Sequence, residues 1–386
     1  MFRKKGLLVS IALGASLVLA ACGNNEDAGT GANNDPNEGN NGANENNVGA
    51  NDDNNNNNND DDGNNEAAVE PEYFWDFVTE EYQGDVQYEY AAEFAKRLEE
   101  KSEGLIEMTV YEYGGLGDGV DQAEQLMMGS TEFGIVSPGF TGTMVPEAQV
   151  FALHFLFPDD VALTQEILNT SEALNVELRA KYEEWDMTPL AYWTEGAMQW
   201  TGSDPLRTPE DFDGFQIRVQ DSPLIRNSYE AYDANVTPMD WGELYTSLDQ
   251  GIVEGQENPI FFIYSAGFHE VQDHMTVSNH NNYVAMTVVN TQFYNSLPAD
   301  IQAMIDETVE EMREVGFQIQ EELNEANITA IEEDTENPTE VYYLNEEERE
   351  AFRELALPIR DFFRENNGDD AGKILDMLEA EIEAAQ

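Results

Sequence analysis

Apolar positions along this chain keep changing their period, and each change predicts an element. From Val86 to Ser102 (VQYEYAAEFAKRLEEKS) they fall three or four apart, the mark of an amphipathic helix, and Gly104 ends it. Ile106 to Tyr111 (IEMTVY) alternates every second residue, as a half-buried strand does. A glycine turn, GGLGDG, leads into a helix from Asp121 to Met128. Glu132 to Val136 (EFGIV) then reads as a short buried strand, stopped by Ser137-Pro138-Gly139. The middle of the chain repeats this grammar. A long helix is predicted over Leu163–Glu184, strands over Thr188–Trp193, Phe215–Val219 and Ala234–Pro238, and helices over Pro223–Tyr232 and Trp241–Gln250. Two further strands, His274–Asn279 and Tyr283–Asn290, precede a stretch that is almost wholly helical from Leu297 on, broken by Glu340–Leu344.

This alternation implies an α/β fold, a mostly parallel sheet with helices packed on it. The chain is long enough for about two domains. We expect two α/β lobes and a long helical C-terminal part, with the ligand in the cleft between the lobes.

The first seventy residues follow neither period. MFRKKGLLVSIALGASLVLAAC has a basic start, an apolar core of about 15 residues and small residues before Cys22, so 1–21 is expected to be a secretory leader. Leu19-Ala20-Ala21-Cys22 matches a bacterial lipobox. Cys22 is the only cysteine, which suits lipidation better than a disulfide. Residues 22–70 collapse to Asn, Asp, Gly, Glu and Ala, too little apolar surface to offset the entropy of ordering, and read as a disordered tether. The body is then expected outside the cell, lipid-anchored to the outer face of the cell membrane.

Charge narrows the partners. Lys and Arg number 17 against 79 Asp and Glu, a net charge of −62 at neutral pH. No basic stripe exists to neutralise phosphates, which excludes nucleic acid. Such a surface repels itself in dilute salt but is screened in brine, where the Debye length falls to ~3 Å at 1 M, so a halophilic setting is expected. No GxSxG, HExxH, P-loop or strand-linked GxGxxG occurs, and His154, His269, His274 and His280 lack metal-ligand spacing. The reading is a binding protein, with no catalytic residues, no metal and no cofactor. Among so many acids, paired carboxylates carry no weight by themselves.

Scarce basic residues carry more. Arg218 sits inside FQIRV, where alternation turns it away from the face shared by Ile217 and Val219. There it either grips a ligand carboxylate through its planar fork or pairs with one of the many acids. Arg207, in a turn, and Arg226, on a helix, favour the ion-pair reading. Phe140 lies in a loop just past a strand end, Trp241 begins a helix, and Tyr283 opens a strand; each is either core or pocket wall. The stretch VEGQENPIFFIY sets Asn258 against an aromatic run, and either caps a buried helix or lines a pocket.

Together these residues resemble a known family. DGFQIR (213–218) followed by SPLIRNSYEAYDANVTPMDWGELYTSLDQGIVEGQENP is similar to the substrate-binding proteins of TRAP transporters, the DctP family. The shared order is an Arg-bearing strand, a T-P-M turn, and a helix and loop ending in GQENP. YGGLGDGVDQAEQLMMGSTEFGIVSPG and LPADIQAMIDE fit as well, so the resemblance covers the chain from Pro71 to Gln386. It implies a two-lobed, periplasmic-binding-protein-like fold that closes over a small carboxylate and delivers it to a small and a large TRAP membrane subunit. The body is expected to act as a monomer. The lobes are expected to comprise 71–196 with about 284–325, and 197–283 with about 326–386.

Within the family, WDFVTEEYQGDVQ, SPGFTG, PMDWGELY and GQENPIFFI resemble ectoine-binding members. The resemblance implies that Arg218 and Asn258 meet the ligand carboxylate and that Glu81 meets its amidinium. The ring would lie among Phe140, Trp241, Phe262 and Tyr283. Phe262 and Tyr283 stand where those members carry other aromatics, so stacking should survive while the pocket outline changes. Gln256-Glu257-Asn258-Pro259 is expected to be a loop presenting Asn258. Dicarboxylate and sialic acid members carry a second basic residue in a G-x-R turn, and here that turn reads Gly196-Ala197-Met198. One Arg and one Glu in one cleft would select a zwitterion, ectoine or 5-hydroxyectoine, over a dianion. A receptor for a C4-dicarboxylate or other small organic acid, and a surface sensor reusing the fold, remain the alternatives.

Overall fold

Strands form where β-branched and aromatic residues run together. In chain order they are β1 (Tyr73–Val78), β2 (Ile106–Tyr111), β3 (Phe133–Val136), β4 (Met187–Gly202), β5 (Gln216–Val219), β6 (Asn235–Pro238), β7 (Gly255–Pro259), β8 (His274–Val277), β9 (Asn282–Asn290) and β10 (Glu340–Tyr343). They join into a ten-stranded mixed sheet with the order β2-β1-β3-β9-β4-β7-β5-β6, while β8 pairs with β4 and β10 with β8. The computed structural model describes residues 70–386; the expected leader, the Cys22 lipid site and all of the tether but Glu70 lie outside them.

The expectation of a mostly parallel sheet needs correction. β1 pairs parallel with β2 and β3, and β5 pairs parallel with β6 and β7. Between these two groups lie β9 and β4, whose sheet pairings are antiparallel. The reason is the length of β4. Patterning predicts Thr188–Trp193, but MTPLAYWTEGAMQWTG continues as strand because nearly all of it is buried on both faces. Residues 187–197 run beside β9, and 198–202 run beside β7. One strand thus stitches two parallel groups together.

Its aromatic residues anchor it in separate cores. Tyr192 packs with Leu126, Leu168 and Met286, and Trp193 with Phe94, Ile305 and Met312. Trp200 packs with Phe212, Ile217 and Phe352. Trp193 stacks on Tyr90 at 4.5 Å between ring centroids, and Trp200 on His280 at 4.4 Å. Such pairs add about 0.5–1.5 kcal/mol beyond their buried area.

Helices cover both faces. Val86–Lys101 buries Val86, Tyr90, Phe94 and Leu98, three or four apart as the pattern predicts, and packs along the 35-residue helix Ala299–Glu333. The predicted helix Leu163–Glu184 is broken. Val161–Thr170 stops at Ser171, and helical turns resume at Ala173. The cause lies far along the chain: the Glu381 carboxylate accepts the Ser171 hydroxyl and the backbone N–H groups of Glu172 (3.0 Å) and Ala173 (3.2 Å). A second start is capped where patterning saw one helix. Glu381 belongs to the last helix, Ala371–Ala385, whose Ile374, Leu375 and Leu378 pack with Val78, Leu126 and Val288. The helix lies against Pro146–Ala152, Val161–Thr170 and Ala173–Leu178. Among the described residues, no helix is long and apolar enough to cross a membrane.

Close strand contact fixes one glycine. A Cβ on Gly255 would come 2.2 Å from the Thr201 carbonyl oxygen and 2.7 Å from the Phe215 ring. Gly255→Ala should therefore lower the unfolding free energy by about 1–3 kcal/mol in a urea titration at high salt; an unchanged midpoint would show that β4 and β7 do not approach this closely.

Candidate functional site

Where β1 ends, Thr79-Glu80-Glu81 turns inward instead of out to water. The backbone carbonyl of Glu81 is held by the Thr79 hydroxyl (3.0 Å) and the Tyr113 N–H (2.9 Å). Gln87, on the first turn of the next helix, then organises three acids. Its backbone N–H donates to Glu81 Oε2 (2.6 Å), its Nε2 donates to Glu195 Oε1 (2.8 Å), and its Oε1 accepts from the Glu80 N–H (2.9 Å). Glu80 Oε1 accepts from the Ser137 N–H (2.9 Å). Glu80, Glu81 and Glu195 are 6%, 1% and 0% exposed, and each keeps one buried carboxylate oxygen with no partner. None forms a salt bridge among the described residues.

Burial without a cation penalises the ionised forms. It pushes Glu80 up to about 7, although bonds from Ser137, Gln87 and Tyr283 pull the other way. Burial, then the charge of Glu195, holds Glu81 well above the usual carboxylate range. Glu195 is raised too, again by burial first. Asp85 beside them rises to about 6, also through burial, with a bond from Ser265 opposing.

The opposite end is basic. Arg218 on β5 is 3% exposed, while Ile217 and Val219 point into the core, as alternation predicts. Its Nε and Nη2 donate to the Met239 carbonyl at 3.0 and 2.8 Å, which fixes the plane of the fork. Nη1 makes no hydrogen bond among the described residues, and no acid there lies within salt-bridge range. Burial lowers the guanidinium to about 10, so it remains a cation at neutral pH. Arg207 and Arg226, by contrast, pair with Glu340 (2.8 Å) and Asp221 (3.7 Å).

Register brings Asn258 to the same face. Arg218 is level with Gln256 on parallel β7, and Asn258 is two residues further on. Asn258 Nδ2 donates to Gln256 Oε1, and Gln256 Nε2 in turn to Thr201 Oγ1 (3.0 Å). The expected GQENP loop is thus corrected: it is an internal strand flanked by β4 and β5, because tertiary pairing overrides its polar composition. Glu257 points to the other face, where Tyr229 donates to it at 2.5 Å and His280 lies 2.8 Å away. It is therefore engaged elsewhere and forms no salt bridge with Arg218, although its charge still helps to hold the guanidinium protonated.

Aromatic rings lie between the two ends. Phe262, one turn into the helix Ile260–Ser265, has its centroid 4.6 Å from Trp241 and 6.3 Å from Tyr283. Tyr283 links the charges: Glu80, Glu195 and Glu81 all act on its hydroxyl, and it acts on Arg218. Phe140 stands apart from this stack, its ring covering Gly119, where a Cβ would come within 2.7 Å. Beside Tyr283 lies a cavity of about 40 Å³ lined by both polar and apolar residues, among them Ser137, Gln220, Glu257, Met198, Ile225 and Val284. That is room for a few waters, not for a ring compound.

Of the seven residues singled out, Arg218 and Asn258 share one strand face, Trp241, Phe262 and Tyr283 form one aromatic wall, and Glu81 joins through the acids around Tyr283. Glu80, Gln87 and Glu195 were missed. Glu195 did leave a signal, as the lone charged residue in a strand otherwise made of apolar, aromatic and neutral polar residues. The fold also gathers His154 and His280, which the spacing separates, around Glu257, with ligand-type atoms within 4.8 Å of one another. Their hydrogen bonds are met by Tyr232 (3.0 Å), Ser278 (2.7 Å) and Glu257, and burial lowers both imidazoles far below their usual range.

The acids give stability a pH dependence of known sign. Glu80 is raised in the folded state, so its contribution is intact below the ordinary carboxylate value and is lost as pH climbs through about 7. Glu80→Gln should match the unsubstituted protein near pH 4 and exceed it at pH 8 by on the order of 3 kcal/mol in urea unfolding without ligand at high salt. A difference that stays constant with pH would contradict this placement of Glu80.

Comparison with known proteins fits this arrangement. Residues 77–366 match the model of bacterial extracellular solute-binding protein, family 7 (DctP). The chain is 34% identical to the ectoine-binding periplasmic protein TeaA of Halomonas elongata, over 81% of this chain and 91% of that protein. It is 33% identical to the ectoine/5-hydroxyectoine-binding periplasmic protein UehA of Ruegeria pomeroyi, over 80% and 91%. The C4-dicarboxylate-binding periplasmic protein DctP of Rhodobacter capsulatus is 31% identical over 72% and 82%. The high-resolution structure of the ectoine-binding protein from the TeaABC TRAP transporter superposes with a TM-score of 0.78 over 81% of this chain and 99% of that one. The chain therefore belongs to the DctP family of extracellular solute-binding proteins, the substrate-binding components of TRAP transporters.

Proposed function

We propose that this protein captures ectoine or 5-hydroxyectoine outside the cell and delivers it to a small and a large TRAP membrane subunit. One observation carries the reading. Among the described residues, Arg218, buried without a salt bridge, and three buried acids without a cation share Tyr283 of the aromatic wall as a neighbour. A zwitterion satisfies both ends at once; a dianion leaves the acids unpaired and adds charge beside them. The ligand carboxylate takes Arg218 Nη1 and the Asn258 amide, the flat amidinium faces Glu81, and the ring lies against Trp241, Phe262 and Tyr283. Phe140 supports the turn that carries Ser137. A zwitterion also approaches a chain of net charge −62 without long-range repulsion. The relatives TeaA and UehA support this ligand class, and the lipobox at Cys22 supports a lipid anchor.

Contacts between the two strand groups close over this site. Gln149 Oε1 accepts from the Ser222 hydroxyl (3.1 Å) and the Leu224 N–H (3.0 Å), and Gln220 Nε2 donates weakly to the Tyr283 hydroxyl (3.4 Å). Two lobes, hinged where β4 passes from one group to the other, would open to admit ligand, and a ligand bridging both ends favours the closed state.

Calorimetry of the body at high salt should show binding of ectoine and 5-hydroxyectoine and none of succinate. Arg218→Ala should cost about 2–5 kcal/mol of binding, since the ligand carboxylate loses its partner, and Arg218→Lys should recover only part of it. Tight succinate binding with no response to ectoine would replace this reading with that of a dicarboxylate receptor.

A further inference from the structure

Glu195 owes its position to a defect in the sheet. The register of β4 against β9 shifts between Thr194 and Gly196, so Glu195 is the extra residue of a bulge. Gly196 makes the bulge possible with φ +117°, a value that suits glycine, and a Cβ there would come 2.6 Å from the Asn324 side chain. Asn324 Nδ2 donates to the Glu195 carbonyl (2.8 Å), and the Gly196 N–H donates to the Thr194 hydroxyl (3.0 Å). The bulge is thereby locked, and it aims the Glu195 carboxylate at Gln87 and Glu81.

Resting on the functional reading above, we propose that Glu195 is a specificity residue that shares the cationic end of the ligand with Glu81, and that the pair holds one proton between them in the ligand-free protein and releases it as the cation binds. Gln87 grips one oxygen of each acid, and the remaining oxygens, Glu81 Oε1 and Glu195 Oε2, are buried without partners. Two carboxylates so placed cannot both ionise at low cost. The charged and titratable neighbours only sharpen this. Glu80 and Asp85 on the preceding loop are acids, Tyr283 on β9 is a neutral phenol, and no salt bridge from a basic residue reaches this group among the described residues. When a ligand cation arrives, the shared carboxyl O–H breaks, its proton passes to solvent, and ligand N–H groups take its place. Two acids waiting for two N–H donors favour a planar amidinium-type head over a quaternary ammonium, which has none.

Linkage gives the sign. The protonated pair must lose its proton to bind, and burial together with mutual repulsion raises both carboxyls, so affinity rises with pH until the pair ionises unaided. Ectoine titrations between about pH 6 and about pH 8, in buffers of different ionisation heat, should show release of close to one proton and an affinity gain of up to about tenfold per pH unit. In Glu195→Gln the repelling charge is gone and the new amide donates to Glu81, so proton release should shrink and the rise of affinity with pH should flatten. Infrared spectra of the ligand-free protein at neutral pH should show a protonated-carboxyl band that Glu195→Gln diminishes. An ectoine titration with no heat at any pH would overturn the functional reading while the infrared result still decides the shared proton. Equal proton release, or an equal band, in the two proteins would overturn the proposal.

Discussion

Charges of opposite sign, buried a short way apart and kept from meeting, are the constraint on which this structure turns. In a low-dielectric interior an unpaired guanidinium or carboxylate is costly, and a direct pair between them would relieve both. The fold prevents that pairing. Arg218 is turned onto the Met239 carbonyl, Glu257 is taken up by Tyr229 and His280, and the neutral phenol of Tyr283 is a neighbour common to the guanidinium and the three acids. With 79 acidic side chains in the sequence, leaving one arginine unpaired requires specific structure. The unmet demand at both ends of the cleft is what a ligand can satisfy, so stability given up in the free protein reappears as selectivity.

The sheet is what holds the ends apart. β4 carries Glu195 on the stretch paired with β9, and a few residues later it becomes the neighbour of β7, which carries Asn258 beside Arg218 on β5. Acid and amide therefore sit on parts of one continuous frame, yet belong to different strand groups. A change in the angle between those groups alters the separation of the charges directly. Recognition and closure are one mechanical event in such a design.

Much of this was legible in the sequence, and the failures have causes. Strand alternation placed Ile217 and Val219 in the core and turned Arg218 the other way, because a period of two follows from backbone geometry alone. Asn258 and Tyr283 stood out by their surroundings in the sequence, but only the family resemblance gave them, and Phe262, a role at the ligand. GQENP looked like a loop because it holds Gly, Asn and Pro, but pairing on both sides makes it a central strand. Glu195 escaped because a bulge breaks the very alternation from which side-chain direction is read. Glu80 escaped for a statistical reason: in so acidic a chain one more carboxylate draws no notice until its burial is seen. The break at Ser171 depends on Glu381, 210 residues away, and no local window contains it.

The most direct test of the opposed-charge account is a crystal structure of the body grown with ectoine. The account predicts the ligand carboxylate on Arg218 and Asn258, its nitrogens on Glu81 and Glu195, and its ring against Phe262. A ligand lying with its carboxylate toward the acids, or Arg218 swung away to pair with a protein carboxylate, would contradict it.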